Sequence, residues 1–378
     1  MWFNTTNDFK NLFIMEKKVL IVANYFATIS NFRMELLHEL NNNNIRVVLA
    51  LPPDDRNKIF DGLAEIVDIP LERFGTNPLH DLKTFFSIKT IIIKYKPDYV
   101  FTYTVKPNIY GGIASRICKT PYACNVTGLG KKLQSDNLVG RIMLLMQKYA
   151  YQKANVVFCQ NEQNYQLLKK HGIIDKQAEI LPGSGVNLTT NQFEEYPNNE
   201  KITFVTIARI RQDKGYDELF NAIMRCSKEH LPVKFKIAGW YEDERYKEII
   251  EEIKQTHIID FLGDVPHNQI HGLISECDCL LHPSHHEGMS NVVLEAAATG
   301  RPCIVSNING CIEGVEDGKT GLYFKVKNSE DLFERIKEFT LIPISERKNM
   351  GIKARKKMEK EFDRNIVVNK YMSLLNTK

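Results

Sequence analysis

Glu287 and Glu295 stand eight positions apart in the run Pro283-Ser284-His285-His286-Glu287-Gly288-Met289-Ser290-Asn291-Val292-Val293-Leu294-Glu295. Gly288 to Asn291 have the chemistry of a turn and a helix cap, so the spacing predicts a loop-to-helix junction with Glu287 on the loop. The first free N–H groups of such a helix attract phosphate through hydrogen bonds and the macrodipole, with the amides of Met289, Ser290, Asn291 and Val292 nearest. Glu295 falls about one turn inside, ~6 Å along the axis at ~1.5 Å per residue. That is roughly the separation between a diphosphate and the ribose that carries it, and a carboxylate there can accept two ribose hydroxyls. Glu287 would face the other end of the diphosphate, where a sugar hangs. The plainer alternative is that Glu295 complements the helix dipole and Glu287 is a solvated loop residue.

A second cluster follows the apolar run Ile202–Ile207: Ala208-Arg209-Ile210-Arg211-Gln212-Asp213-Lys214-Gly215. Arg209 offers a planar fork for paired phosphate oxygens and Lys214 a mobile point charge. Together they can neutralise a departing diphosphate without a metal ion. The chain contains no Asp-x-Asp pair, and Mg²⁺ or Mn²⁺ sites for such substrates need clustered carboxylates. No metal or other cofactor is therefore expected.

These residues need rigid elements to hold them. Short apolar strands alternate with longer amphipathic helical stretches, the pattern of parallel sheets covered by helices. Candidate strands are 19–24, 46–51, 64–69, 98–103, 122–126 and 156–159, with helices over 31–42, 81–95 and 138–153 between them. The pattern stops at Gly183-Ser184-Gly185-Val186-Asn187 and the polar stretch 189–201. A second series runs through 202–207, 234–238, 258–261, 279–282 and 303–306. The expected architecture is α/β, with two Rossmann-like doubly wound domains over 16–187 and 199–361 and a cleft between their carboxyl edges. A final helix in 362–378 is placed to pack back on the first domain.

The 378 residues are 43% hydrophobic and 25% charged, which permits two well-buried cores and excludes disorder. The longest strongly apolar patch, Thr90 to Ile93, is far below membrane-spanning length, and the polar, aromatic residues 1–14 resemble an upstream extension more than a leader. Eight cysteines without C-x-x-C spacing read as reduced, small hydrophobes in a cytosolic protein. Up to position 187 there are 23 basic against 16 acidic residues, and beyond it 27 against 30. The basic first half suits something anionic, although a solvated basic surface explains such an imbalance as well. No nucleic-acid partner is expected.

With the strand, the basic loop, Phe261-Leu262-Gly263 and the Glu287-Gly288 to Glu295-Ala296 element in place, the whole chain resembles a glycosyltransferase of the GT-B fold, family 4, the retaining and metal-independent group. The resemblance implies that Glu295 holds ribose, Arg209 and Lys214 the diphosphate, and Glu287 the transferred sugar. Gly288 and the amides of Met289 to Val292 assist at the phosphates, with Gly239 and Val265 at the nucleobase edge. In the first domain, Thr102-Tyr103-Thr104-Val105-Lys106-Pro107-Asn108-Ile109-Tyr110-Gly111 and Asn125-Val126-Thr127-Gly128-Leu129-Gly130 resemble transferases that build bacterial capsule, O-antigen or related glycans on a polyprenyl diphosphate. Asn31, Arg33, Lys106, Thr127, Gly128 and Gly130 are the acceptor-side candidates, Gly128 and Gly130 because glycines flanking a tight turn let a backbone approach a ligand closely. Many members have a Gly-rich first loop and a His near the reacting sugar; this chain has Asn24-Tyr25-Phe26-Ala27-Thr28-Ile29-Ser30-Asn31 and Lys106 instead.

The expected activity is thus retaining transfer of a hexose or N-acetylhexosamine from a UDP-sugar to a lipid-linked saccharide, in the cytoplasm or peripherally at the inner face of the membrane. A nucleotide-sugar epimerase or hydrolase, or a non-catalytic sugar-nucleotide-binding subunit, would share these elements. Three other motifs point less far. Gly318-Lys319-Thr320 lacks the earlier glycine of a phosphate-binding loop and reads as a turn. His282, His285 and His286 lack further ligands apart from Glu287 for a metal sphere. The basic, amphipathic stretch 130–153 is either a buried-face helix or a docking face for anionic lipid.

Overall fold

The computed structural model describes residues 17–72, 77–128 and 138–376. Gly130 and residues 1–14, discussed above, lie outside the described residues, as does the start of the 130–153 stretch. The first sheet holds β1 (Lys18–Val22), β2 (Arg46–Leu51), β3 (Glu65–Asp68), β4 (Tyr99–Tyr103), β5 (Tyr122–Val126), β6 (Val156–Cys159) and β7 (Ala178–Ile180), in the order β3-β2-β1-β4-β5-β6-β7. The second holds β8 (Ile202–Ile207), β9 (Val233–Ala238), β10 (Ile259–Gly263), β11 (Cys279–His282), β12 (Cys303–Ser306) and β13 (Gly321–Phe324), in the order β10-β9-β8-β11-β12-β13. Every pairing is parallel. Central strands such as Val-Leu-Ile-Val in β1 are buried on both faces, which is why they read as continuous apolar runs.

The first-half helices are α1 (Phe26–Ser30), α2 (Met34–Asn42), α3 (Pro78–Tyr95), α4 (Val105–Cys118), α5 (Leu138–Tyr151) and α6 (Glu162–Lys170). The second half carries α7 (Tyr216–Lys228), α8 (Tyr246–Lys254), α9 (His267–Ser275), α10 (Asn291–Ala298), α11 (Ser329–Leu341), α12 (Ile344–Lys357) and α13 (Arg364–Asn376). Their starts follow local chemistry. Asn77 accepts from the Leu79 amide ahead of Pro78 in α3, Asn161 caps α6 and Asn328 caps α11.

After α12 and a π-helical turn at Met358–Phe362 the chain returns to the first half. In α13, Tyr371 is fully buried, with ring centroids 5.0 Å from Phe101 and 5.3 Å from Phe158, and Val367 and Leu375 join the same core. Where the two chain segments cross, Val186 and Asp363 form a bridge, and Glu35 of α2 accepts from Arg364 at 2.7 Å and Asn187 at 2.6 Å.

Two local expectations are corrected. The first loop and first helix are not divided at Asn31: residues Phe26–Ser30 are already helical, and Asn31 to Arg33 form a break before α2. The break turns Arg33 inward, where its guanidinium lies 4.7 Å from the Tyr103 ring centroid. Lys106 stands in the first turn of α4, where Pro107 is tolerated for lack of an amide obligation. The short edge strand β7 was absent from the sequence pattern, since its Ala-Glu-Ile is too brief to show a period. Gly318, at φ +70°, forms a turn closed by its amide on the Gly321 carbonyl.

Candidate functional site

In the second sheet β8 and β11 are neighbours, and the chain leaves them toward opposite sides of the sheet. Such a reversal opens a crevice at the carboxyl ends of the two strands. Lys214 arrives there on the loop after β8, and Glu287 on the loop after β11. Lys214 Nζ lies 2.5 Å from Glu287 Oε1, with both side chains only 15% exposed.

Backbone contacts fix the two loops to each other. The Asp213 carbonyl accepts from the His285 amide at 2.9 Å and the Ser284 hydroxyl at 3.3 Å. Gly215, at φ +75°, presses so closely on the Pro283 carbonyl that a β-carbon would overlap it, which accounts for a glycine between Lys214 and α7. Gly310 plays the same part below Glu287: a β-carbon there would come within 2.7 Å of the Glu287 carbonyl oxygen.

Glu287 Oε1 also lies 3.1 Å from His282 Nε2. Burial pushes its carboxyl toward protonation, but the His282 hydrogen bond and the Lys214 charge outweigh burial and hold it well below the usual carboxylate range. Glu287 is thus an ionised, partly buried carboxylate beside a cation.

α10 begins immediately beyond. Ser290 is its N-cap residue, yet its hydroxyl bonds no amide of the helix and sits instead 3.0 Å from His282 Nε2. The first-turn amides therefore take no cap from Ser290, and a helix end of this kind attracts anions. Glu295 is 8% exposed, and among the described residues its carboxylate makes no hydrogen bond or ion pair. Burial raises its pKa, partly opposed by the charges of His267 and Arg364.

The structure therefore brings together Glu287, Lys214, Gly288, Ser290 and the start of α10, with Asn291 and Val292 as its first two residues. Asn291 Oδ1 is buried without a partner among the described residues. Met289 buries its side chain with Val186, Leu294 and Phe362, so only its backbone is available to a ligand. Arg209 is not drawn to the pair: its Nη1 donates to Glu242 Oε2 at 2.9 Å. Gly239 holds the end of β9 against the Ala208 carbonyl, where a β-carbon would overlap it, and so braces the Arg209 loop from below. Val265 is half-buried beside the apolar cluster under α10.

On the opposing half, Thr127 meets the motif directly: a β-carbon at Gly288 would overlap the Thr127 carbonyl oxygen. Asn161 Nδ2 donates to the Gly288 carbonyl while its Oδ1 caps α6 through the Asn164 amide at 2.8 Å. Among the described residues nothing lies within 4 Å of where a β-carbon on Gly128 would stand. Lys106 Nζ is paired with Asp81 at 2.6 Å. Arg33 is 4% exposed and faces the Tyr103 and Tyr371 rings, and Asn31 lies two residues away in the same break. Asn31 and Arg33, Lys106, and Thr127 and Gly128 follow β1, β4 and β5 respectively, at the carboxyl end of the first sheet.

Sequence reasoning missed His282 as a partner of Glu287, Gly310 behind it, Asn161 across the cleft and Glu242 beside Arg209. Only His282 left a trace, in the cluster His282, His285 and His286 beside Glu287.

Two family models match the chain: Glycosyl transferases group 1 over residues 189–357 and Glycosyl transferase 4-like over residues 18–161. The chain is a GT-B glycosyltransferase. The transferase is 26% identical over 368 residues to the N,N'-diacetylbacillosaminyl-diphospho-undecaprenol alpha-1,3-N-acetylgalactosaminyltransferase of Campylobacter jejuni, covering 92% of this chain and 95% of the relative. It is 24% identical to the capsular polysaccharide biosynthesis glycosyltransferase CapM of Staphylococcus aureus, covering 79% and 81%. In fold it matches a glycosyltransferase from Rickettsia africae at a TM-score of 0.77 with 19% identity, over 95% of this chain and 98% of the other. Anabaena HepE, solved with UDP and glucose, matches at 0.75 with 16% identity, over 95% and 99%.

Proposed function

We propose that the transferase moves a hexose or N-acetylhexosamine from a UDP-sugar to a polyprenyl-diphosphate-linked saccharide, with retention of configuration and without a metal ion. The observation that carries this reading is the Lys214–Glu287 pair beside an uncapped helix end, with the buried Glu295 carboxylate eight residues along. A lysine ammonium has three donors, so Lys214 can keep Glu287 and still meet a phosphate oxygen. Arg209, one-third exposed, can leave Glu242 for the second phosphate.

As the bond from the anomeric carbon to the diphosphate breaks, its electron pair passes to the phosphate oxygen. Lys214 and the first amides of α10 stabilise the growing charge there. That oxygen can take the proton of the acceptor hydroxyl attacking from the same face, which gives retention. A carboxyl held as low as Glu287 is a poor base, and it serves instead to accept sugar hydroxyls and to oppose positive charge at the anomeric centre.

The names of the relatives support a lipid-linked acceptor, and so does one surface. The adjacent helices α3, α4 and α5 carry seven Lys and Arg residues against one acidic residue, Asp81, which is paired with Lys106. Leu82, Phe86, Ile117, Ile142 and Leu145 are exposed on the same helices. Such a face suits peripheral contact with an anionic membrane, while no helix among the described residues is long and apolar enough to cross one.

A donor screen with membrane extract, reading UDP release and glycolipid product together, tests the proposal. Equal formation of both supports it. Release without product, or interconversion of the donor sugar, favours a hydrolase or epimerase instead.

A further inference from the structure

The His282 ring sits at the end of β11 with its Nε2 between two groups, 3.1 Å from Glu287 Oε1 and 3.0 Å from Ser290 Oγ. Glu287, being ionised, can only accept, so Nε2 carries the hydrogen, and the Ser290 oxygen shares it. The other ring nitrogen, Nδ1, is buried and meets no partner among the described residues. The ring is 3% exposed and therefore has one working edge, directed wholly at the site.

We propose that His282 is a positioning residue with two linked effects, a role that rests on the donor site described above. It fixes the Glu287 carboxylate at Lys214. It also draws the Ser290 hydroxyl away from the helix it would ordinarily cap. An N-cap serine normally accepts from the second or third amide of its helix, and a hydroxyl so placed competes with a phosphate for that donor. Here the competition is removed before the donor arrives. One imidazole N–H thus orients the carboxylate for the sugar and keeps the amides open for the diphosphate.

The two effects separate experimentally. His282→Leu removes both, whereas His282→Gln places an amide donor near the Nε2 position and restores them. In His282→Leu, kcat for UDP release in the presence of acceptor falls by about 100-fold, the scale seen when one preorganised donor is lost. Its affinity for UDP, measured by calorimetry, falls about fivefold because the freed Ser290 caps the helix. Adding Ser290→Ala to His282→Leu returns UDP affinity to the parent value and leaves kcat low. His282→Gln stays close to the parent in both, and thermal unfolding of each variant separates loss of fold from loss of function.

Parent-like kcat in a folded His282→Leu variant overturns the positioning of Glu287. Failure of Ser290→Ala to restore UDP affinity overturns the uncapping. Should the unmodified protein bind no UDP and release none from any UDP-sugar, it is the donor reading that fails, an outcome distinct from both.

Discussion

Lys214 and Glu287, 73 residues apart in sequence, meet at 2.5 Å where the loops after β8 and β11 leave the second sheet. Two oppositely charged groups, each about 15% exposed, are stable there only as a pair, since removing one partner strands the other in a poorly solvated position.

Lys214→Ala should therefore affect both turnover and acid stability. Loss of the cation opposite the departing diphosphate lowers kcat by about 100-fold or more. Because the folded carboxyl of Glu287 lies below its ordinary value of 4.5, it contributes stability above that pH and loses it only as pH falls through the lower folded value. Without Lys214 the folded value rises, so the acid-unfolding midpoint moves to higher pH. Circular dichroism against pH reads that shift directly.

Glu295→Gln should trade binding for stability. A carboxyl whose pKa is raised by burial favours the folded state less when ionised, so the neutral amide raises Tm at pH 7. The amide is a weaker acceptor for ribose hydroxyls, and UDP affinity drops by about tenfold. In the unmodified protein UDP affinity declines on acidification as Glu295 protonates above the usual glutamate range, and that decline is missing in Glu295→Gln. Calorimetric titrations across pH, with 2′-deoxy-UDP as a second ligand, measure both effects.

Much of this arrangement is legible in the sequence. The alternation of apolar runs and amphipathic stretches located both sheets, because parallel strands buried on two faces must be apolar throughout. The Glu287-Gly288 to Glu295-Ala296 spacing located the carboxylates and the helix start between them. Arg209 was less readable, since its direction depends on Glu242, delivered by the loop after a different strand. The inward turn of Arg33 was equally hidden, for nothing near it in sequence indicates Tyr103 and Tyr371, which come from β4 and α13. Contacts made between elements leave no local period to detect.

Gly288→Ala should part the two halves. The added methyl overlaps the Thr127 carbonyl, and the neighbouring Gly288 carbonyl is held by Asn161 across the cleft. The prediction is an increase in radius of gyration by small-angle scattering and a loss of transfer exceeding the loss of UDP affinity. An unchanged radius with full activity would mean that the loop yields instead.

The exposed apolar and basic residues of α3 to α5 should bind membrane. Phe86→Asp with Leu145→Asp places charge at two exposed positions outside the cleft. Co-sedimentation with vesicles containing phosphatidylglycerol falls, while UDP affinity and Tm stay near the parent values. Each basic residue near the surface contributes about 1 kcal/mol, so binding also weakens with salt.

A crystal structure of the protein with UDP, grown in the presence of a chelator, bears most directly on the central claim. The diphosphate is predicted to lie against Lys214 Nζ and the first amides of α10, with both ribose hydroxyls on Glu295 and no ion between phosphate and protein. A diphosphate seated away from Lys214, or one that binds only when a divalent cation is restored, would contradict it.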